Sequence, residues 1–320
     1  GEENHIPEYS ISPVSITFAE ITFDQETGSV TVIGLSNWNG NQGFTITAND
    51  NMGTEYGGDQ DWEFNFTLTV EIVNDAPVVT DSTTSLAAID EDNTSSVGST
   101  VSDLFGGNFD DSTDDVEDGS SANTLAGIAI KGDSSTSDEG AWQYSTDSGN
   151  SWSDLPNVTS GNAFVLSDVS LLRFNPASDW NGTPGDLEVY LIDDSQGSVT
   201  SGTTVDVSTD IGGTTPYSLS SVSLGTVVNP VNDVPVVSAI AEQVIDEDSV
   251  FPQINLSDYV DDVETVDEDI IWSYSGDTDL SVDITEQVAT IGILADNWNG
   301  TEMITFTATD TGDGGTDRKS

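Results

Sequence analysis

The chain has 320 residues, of which 58 are Asp or Glu and only 4 are Lys or Arg, for a formal charge of -54. That sign excludes a nucleic-acid partner, because a phosphate backbone is bound through Lys and Arg, and it leaves the excess carboxylates to be solvated, screened or bound to cations. The absence of Cys excludes disulfides and thiolate chemistry, and the absence of any run of 18 apolar residues excludes a membrane-spanning helix.

Acidic chains poor in aromatics stay disordered, but this one carries 7 Trp, 7 Tyr and 11 Phe in alternating runs and is expected to fold. The opening Gly1-Glu2-Glu3-Asn4-His5 has no basic region followed by an apolar stretch. It is therefore not a signal peptide, so either a signal has been removed or the chain is an internal piece of a longer protein. Period-2 alternation then predicts strands over 15–18, 29–33, 44–50 and 63–72, and later over 187–193, 288–293 and 304–310. Gly, Asn, Asp and Ser punctuate these runs every 8 to 12 residues or so, the spacing of an all-β sandwich, and no stretch shows helical periodicity. The Asn-Gly pairs at 39, 181 and 299 predict tight turns, since both residues tolerate positive φ. Between residues 76 and 233 the extra length lies in 112–121 and in 142–152, the latter an inserted hairpin anchored by Trp142 and Trp152.

Internal repetition organises these elements. Asn74-Asp75-Ala76-Pro77-Val78-Val79 returns as Asn232-Asp233-Val234-Pro235-Val236-Val237, and each copy is followed by Ile-Asp-Glu-Asp, at 89–92 and 245–248. Trp-Asn-Gly occurs three times, at 38–40, 180–182 and 298–300, each time ahead of a strand that ends in an acidic or amide turn. Three modules follow: 1–75, without the opening strands; 76–233, complete and carrying the inserted hairpin; and 234–320, without its last strand. The open edges at both ends have two explanations, a boundary within a longer array or completion by strands from neighbouring copies.

These co-occurring phrases resemble the cadherin-like repeats of large secreted bacterial adhesins and surface proteins, and more distantly animal cadherins. The resemblance implies an all-β fold of tandem, immunoglobulin-like Greek-key sandwiches in a linear array, with calcium held at the linkers. Carried onto this chain, the linker falls on Asn74, Asp75, Asn232 and Asp233, and the early acidic residue on Glu91 and Glu247. The acidic top loop falls on Asp114, Asp115 and Glu117, and again on Asp261, Asp262 and Glu264. The Ala-x-Asp turn falls on Asp50, on Asp193 or Asp194, and on Asp310. Where animal cadherins carry Asp-Arg-Glu, this chain has Asn37-Trp38-Asn39, Asp179-Trp180-Asn181 and Asn297-Trp298-Asn299. The departure implies fewer ions per linker, one or two. The physical logic is independent of the family: carboxylates converging on one spot repel, and a divalent ion with about 6 to 8 oxygen ligands makes a rigid joint of them.

Other signals point away from catalysis. Asp310-Thr311-Gly312 matches an aspartic-protease triplet, but that chemistry needs two, and this one occupies the repeated turn position. The single His5 cannot build a zinc site or a histidine triad. The 110–119 stretch lacks the third ligand of an EF-hand loop counted from Asp114, and the Trp residues are expected to pack over sandwich ends rather than stack on sugars. The expectation is a non-enzymatic, calcium-rigidified extracellular or cell-surface spacer or filament segment. Its partners would be neighbouring modules of the same or identical chains, with cell-surface or matrix glycans as a further class under the alternative, a carbohydrate-binding module.

Overall fold

Alternation of β-branched or aromatic residues with polar ones builds antiparallel strands in the segments where it is longest. A computed structural model describes residues 7–49, 61–117, 119–310 and 318–319, the last pair by backbone alone. Asp50 lies outside the described residues. The chain divides into two compact units, one made of residues 1–87, 95–175 and 184–226, the other of 88–94, 176–183 and 227–320.

In the first unit, Glu8–Ser12, Gly40–Asn49 and Trp62–Val70 form an antiparallel sheet, with Ala19–Phe23 and Val30–Gly34 as a separate pair. The expected strand over 15–18 does not form. Pro13 removes a ladder donor directly after Ser12, and the next strand begins only at Ala19. Residues further along form a six-stranded sheet in the order Thr204–Val205, Ala163–Ser167, Leu125–Asp133, Leu187–Asp193, Val222–Gly225, Thr83–Ser85. Facing elements supply a four-stranded sheet of Ser153–Asp154, Gly140–Ser145, Leu171–Pro176 and Ser99–Thr100. The strand Leu125–Asp133 is buried almost continuously rather than alternately. Ile128 and Ile130 are fully buried, while Ala129 on the opposite face joins Ala163, Val165, Ile192 and Val207 in a second cluster. Both faces of this strand are thus covered, and it reads as an apolar run rather than an alternating one.

A hairpin forms over this stretch, at the edge of the four-stranded sheet: Gln143 pairs with Asp154 and Tyr144 with Ser153. Asp147 shapes its turn by accepting Ser151 N–H at 2.9 Å and the Ser145 hydroxyl at 2.8 Å. Trp142, expected as an anchor, is 1% exposed and meets Phe174 edge-on with ring centroids 5.3 Å apart. It is a core residue with no face for a sugar. One short helix, Val101–Phe105, also appears, capped by Thr100, whose hydroxyl accepts the Asp103 N–H at 3.1 Å. Five residues are too few for a helical period to show in the sequence.

The second unit repeats the sandwich on a smaller scale. Ile254–Asn255, Val288–Ile293 and Leu280–Thr285 form one sheet; Ile271–Ser275, Thr305–Thr309 and Arg318–Lys319 form the other. Leu256, Val282 and Ala289 lie between them, with Trp272 and Phe306 packed alongside. Where the sequence predicts no last strand, Arg318–Lys319 pairs antiparallel with Ala308 and Thr309.

The Trp-Asn-Gly turns form, but the Asn of each pair does not take positive φ. The left-handed position is the one before the indole, Asn37, Asp179 and Asn297, with φ of 58°, 56° and 57°. Each turn closes by a bond from the Trp N–H three residues back, to Leu35, Ala177 and Ala295. Asn and Asp tolerate this conformation through local side-chain hydrogen bonding. Gly40 and Gly182 take positive φ of 159° and 135°, and a Cβ on Gly300 would lie 3.0 Å from the Trp298 ring, so that indole folds back over its own loop.

Candidate functional site

Each linker is brought to its acidic loop by a two-residue strand pair. After Pro77, Val78–Val79 pairs antiparallel with Phe109–Asp110, which sets Asp111 and Asp114 beside Asp75. After Pro235, Val236–Val237 pairs with Val260–Asp261, which sets Asp262 and Glu264 beside Asp233. This pairing corrects the register read from the text. Asp110-Asp111 corresponds to Asp261-Asp262, and Asp114 to Glu264, so the shared letters of 114–117 and 261–264 are a coincidence of sequence. Asp115, Glu117 and Asp261 lie exposed outside the clusters.

At the first linker, the Asp75 N–H donates to both oxygens of Asp114 at 3.2 and 3.3 Å. The Asn74 amide donates to Asp193 Oδ2 at 3.2 Å. Asp193, not Asp194, is the buried member of its pair; Asp194 is exposed and holds Thr124 at 2.9 Å through the backbone N–H. Two residues not anticipated complete the cluster. Asp111, 4% exposed, accepts the Asn123 N–H at 2.9 Å, and the Asn123 side-chain amide donates to Asn74 Oδ1 at 2.8 Å.

The second linker repeats the scheme. The Asp233 N–H donates to Glu264 Oε2 at 3.0 Å and the Asn232 amide to Asp310 Oδ1 at 3.1 Å, while Asp262 Oδ1 accepts the Thr265 N–H at 2.7 Å. Glu91, 1% exposed, accepts the Val231 N–H at 2.5 Å and the Asn181 amide at 3.1 Å. The Trp-Asn-Gly loop therefore contributes its asparagine to the linker, a role that its recurrence alone did not disclose. Glu247, the second copy of Glu91, is exposed.

Charge crowding shows in the acidities. Burial, only partly offset by the Asn123 N–H, pushes the Asp111 carboxyl up to about 6, helped by the charges of Asp114, Asp193 and Asp110. Asp114 and Asp233 are also raised, by burial first; Asp75 and Asp193 crowd the former, and Glu264, Asp92, Asp179 and Glu91 the latter. A carboxyl whose folded pKa exceeds its unfolded value stabilises the fold below the unfolded value, and that stability is lost as pH rises through the folded one. In chelator, the melting temperature is therefore expected to fall as pH rises from 3.8 through about 6 on account of Asp111. Asp111→Asn should flatten that slope, which for one group is at most about 1.4 kcal/mol per pH unit. An unchanged pH profile in the variant, measured by thermal melts, would count against this assignment.

The donors fit a hard divalent cation in kind: Asn74, Asp75, Asp111, Asp114 and Asp193, and Asn232, Asp233, Asp262, Glu264 and Asp310, offer carboxylate and amide oxygens. Among the described linker residues, buried oxygens that make no hydrogen bond include Asp111 Oδ1 at the first linker, and Asn232 Oδ1, Asp233 Oδ2, Asp262 Oδ2 and Glu264 Oε1 at the second. Burying such oxygens without a partner costs several kcal/mol unless something pairs with them. Among the described residues, no three acidic side chains are gathered tightly enough to form a ready-made cage. No described helix is long and apolar enough to cross a membrane.

No sequence family and no curated protein matches the chain. Among solved structures it is similar to human CDH23 EC21-23, with a TM-score of 0.52 at 13% identity over 99% of this chain and 88% of that one. Mouse protocadherin-24 EC1-3 gives 0.46 at 17% identity over 98% and 87%, and mouse cadherin-23 EC22-24 gives 0.42 at 15% over 98% and 84%. At such identities the first of these likenesses speaks for the fold alone: the chain is all-β and cadherin-like in its sandwiches.

Proposed function

We propose that this chain is a calcium-rigidified spacer or filament segment of an extracellular surface protein, of the kind found in bacterial adhesins, built from three sandwich modules at 1–75, 76–233 and 234–320. Its role is mechanical, and its partners are neighbouring modules of the same or identical chains. The observation that carries the reading is the set of buried, unpaired oxygens at the 232–233 linker. Asn232, Asp233, Asp262, Glu264, Asp310 and Glu91 would hold an ion there, and Asn74, Asp75, Asp111, Asp114 and Asp193 at the first linker. Bound calcium supplies the positive charge that these carboxylates lack, since the whole chain offers only 4 Lys and Arg. The residues do the positioning. Backbone N–H groups of Val231 and Asp233 clamp Glu91 and Glu264, fixing the linker between loops that belong to successive modules.

Calorimetric titration of two single variants tests this. Asp233→Ala is expected to weaken calcium binding about tenfold or more, because affinity follows ligand number and charge. Asp154→Ala should leave it unchanged, because Asp154 is an exposed hairpin residue bonded to Gln143 at 2.8 Å. Equal affinities in the two variants would reduce the linker phrase to a turn.

A further inference from the structure

The two linkers share one hydrogen-bonding scheme, which makes a difference between them informative. At the first, the Asn123 side-chain amide reaches between the two halves of the cluster, donating to Asn74 Oδ1 at 2.8 Å and to Asp114 Oδ2 at 3.4 Å. The corresponding acceptors at the second linker are Asn232 Oδ1 and Glu264 Oε1, and both are buried without a partner. The segment that carries Asn123, Ser121-Ala122-Asn123-Thr124, precedes the strand Leu125–Asp133; the one that precedes Ile271–Ser275 is the acidic turn Asp267–Asp269. Where the segment ahead of the first strand supplies a side-chain amide with two N–H donors, the segment ahead of the second offers Asp267, Glu268 and Asp269, whose carboxylates have no N–H to donate. An amide donor between two oxygens satisfies them as a cation does, with less charge and no dependence on ion concentration.

We infer that Asn123 is a built-in substitute for the cation at the first linker, so that calcium binding and calcium-dependent stiffening concentrate at the 232–233 linker, while the 74–75 linker holds without the ion. This rests on the calcium reading above and adds an inequality to it. One oxygen at the first linker, Asp111 Oδ1, remains unpaired against four at the second. The count runs in the direction of the inequality.

Hydrogen exchange of the full chain, read by mass spectrometry on peptides spanning 70–80 and 228–238, tests the inference in chelator and in about 10 mM calcium, roughly ten times the weak end of the usual extracellular affinity range. Binding at ten times its Kd protects about tenfold. The expected result is that calcium slows exchange in 228–238 by about tenfold and leaves 70–80 within about twofold. In Asn123→Ala, the 70–80 peptide should lose protection in chelator and regain it with calcium. Equal calcium responses of the two peptides in the unaltered chain overturn the inference while leaving the calcium reading intact. So does a first linker in Asn123→Ala that is no more calcium-dependent than before. If neither peptide responds to calcium, both fall together. The comparison of the two peptides in the unaltered chain decides the matter even if Asn123→Ala does not fold.

Discussion

Removing calcium at low salt is expected to lower the melting temperature and to broaden the distribution of molecular dimensions seen by small-angle scattering, and readdition of about 1 mM calcium should reverse both. The mechanism is mass action on a crowded set of carboxylates. An ion that binds only the folded linker with a Kd of about 0.1 mM contributes about 1.4 kcal/mol per site at 1 mM. Sodium chloride provides the control. At about 0.15 M it screens exposed charges beyond about 8 Å, so a chain whose acidity serves only solvation should respond to salt as it does to calcium. Buried oxygens such as Asp233 Oδ2 and Glu264 Oε1 are not reached by that screening. Magnesium should substitute poorly, because it demands a tighter octahedral shell and releases its water reluctantly. Full rescue by sodium would replace the calcium-jointed spacer with a merely acidic one.

Trp142→Ala should cost about 3–5 kcal/mol, the usual range for deleting a buried large aromatic. The indole fills the space between the sheets, meets Phe174 edge-on, and donates its N–H to Gly185 O at 2.9 Å, so truncation leaves a cavity and an unpaired carbonyl together. Denaturant unfolding should show a lower midpoint with an unchanged slope. Trp142→Phe should lose less, since a ring remains to meet Phe174 and only the carbonyl partner and part of the volume go. A Trp142→Ala loss below about 1 kcal/mol would place this residue at the surface after all, where substitutions act weakly.

Strands such as Trp62–Val70 and Val288–Ile293 were legible because alternation survives in their letters, even though Trp62 and Phe64 stand exposed. The doubly covered Leu125–Asp133 was not, since burial on both sides erases the period. The linkers were legible through repetition, but their partners were not. Identical letters drew the eye to Asp115 and Glu117, while strand pairing, which fixes register, selected Asp111. Asn123 and Asn181 were hidden for a different reason. Each acts across a long stretch of chain, on Asn74 and on Glu91, and an asparagine in a loop reads first as a turn former.

The pairing of the strands near either end of the 76–233 segment bears on how it would carry tension. Thr83–Ser85 runs parallel to Val222–Gly225 at the edge of the six-stranded sheet, and Ile89–Asp90 runs parallel to Val228–Asn229, whereas the other pairings of that sheet are antiparallel. When a chain is pulled from both ends, parallel strands at its entry and exit slide past each other along their length, so the bonds between them are strained together rather than peeled one at a time. In the first unit Leu86 N bonds Gly225 O, and in the second Ile89 N bonds Val227 O and Glu91 N bonds Asn229 O. Resistance to force is governed by the unfolding rate rather than by equilibrium stability. Under the proposed mechanical role, load would fall on such bonds together, and one of them is made by the backbone of Glu91, whose carboxylate accepts the Val231 N–H at the second linker.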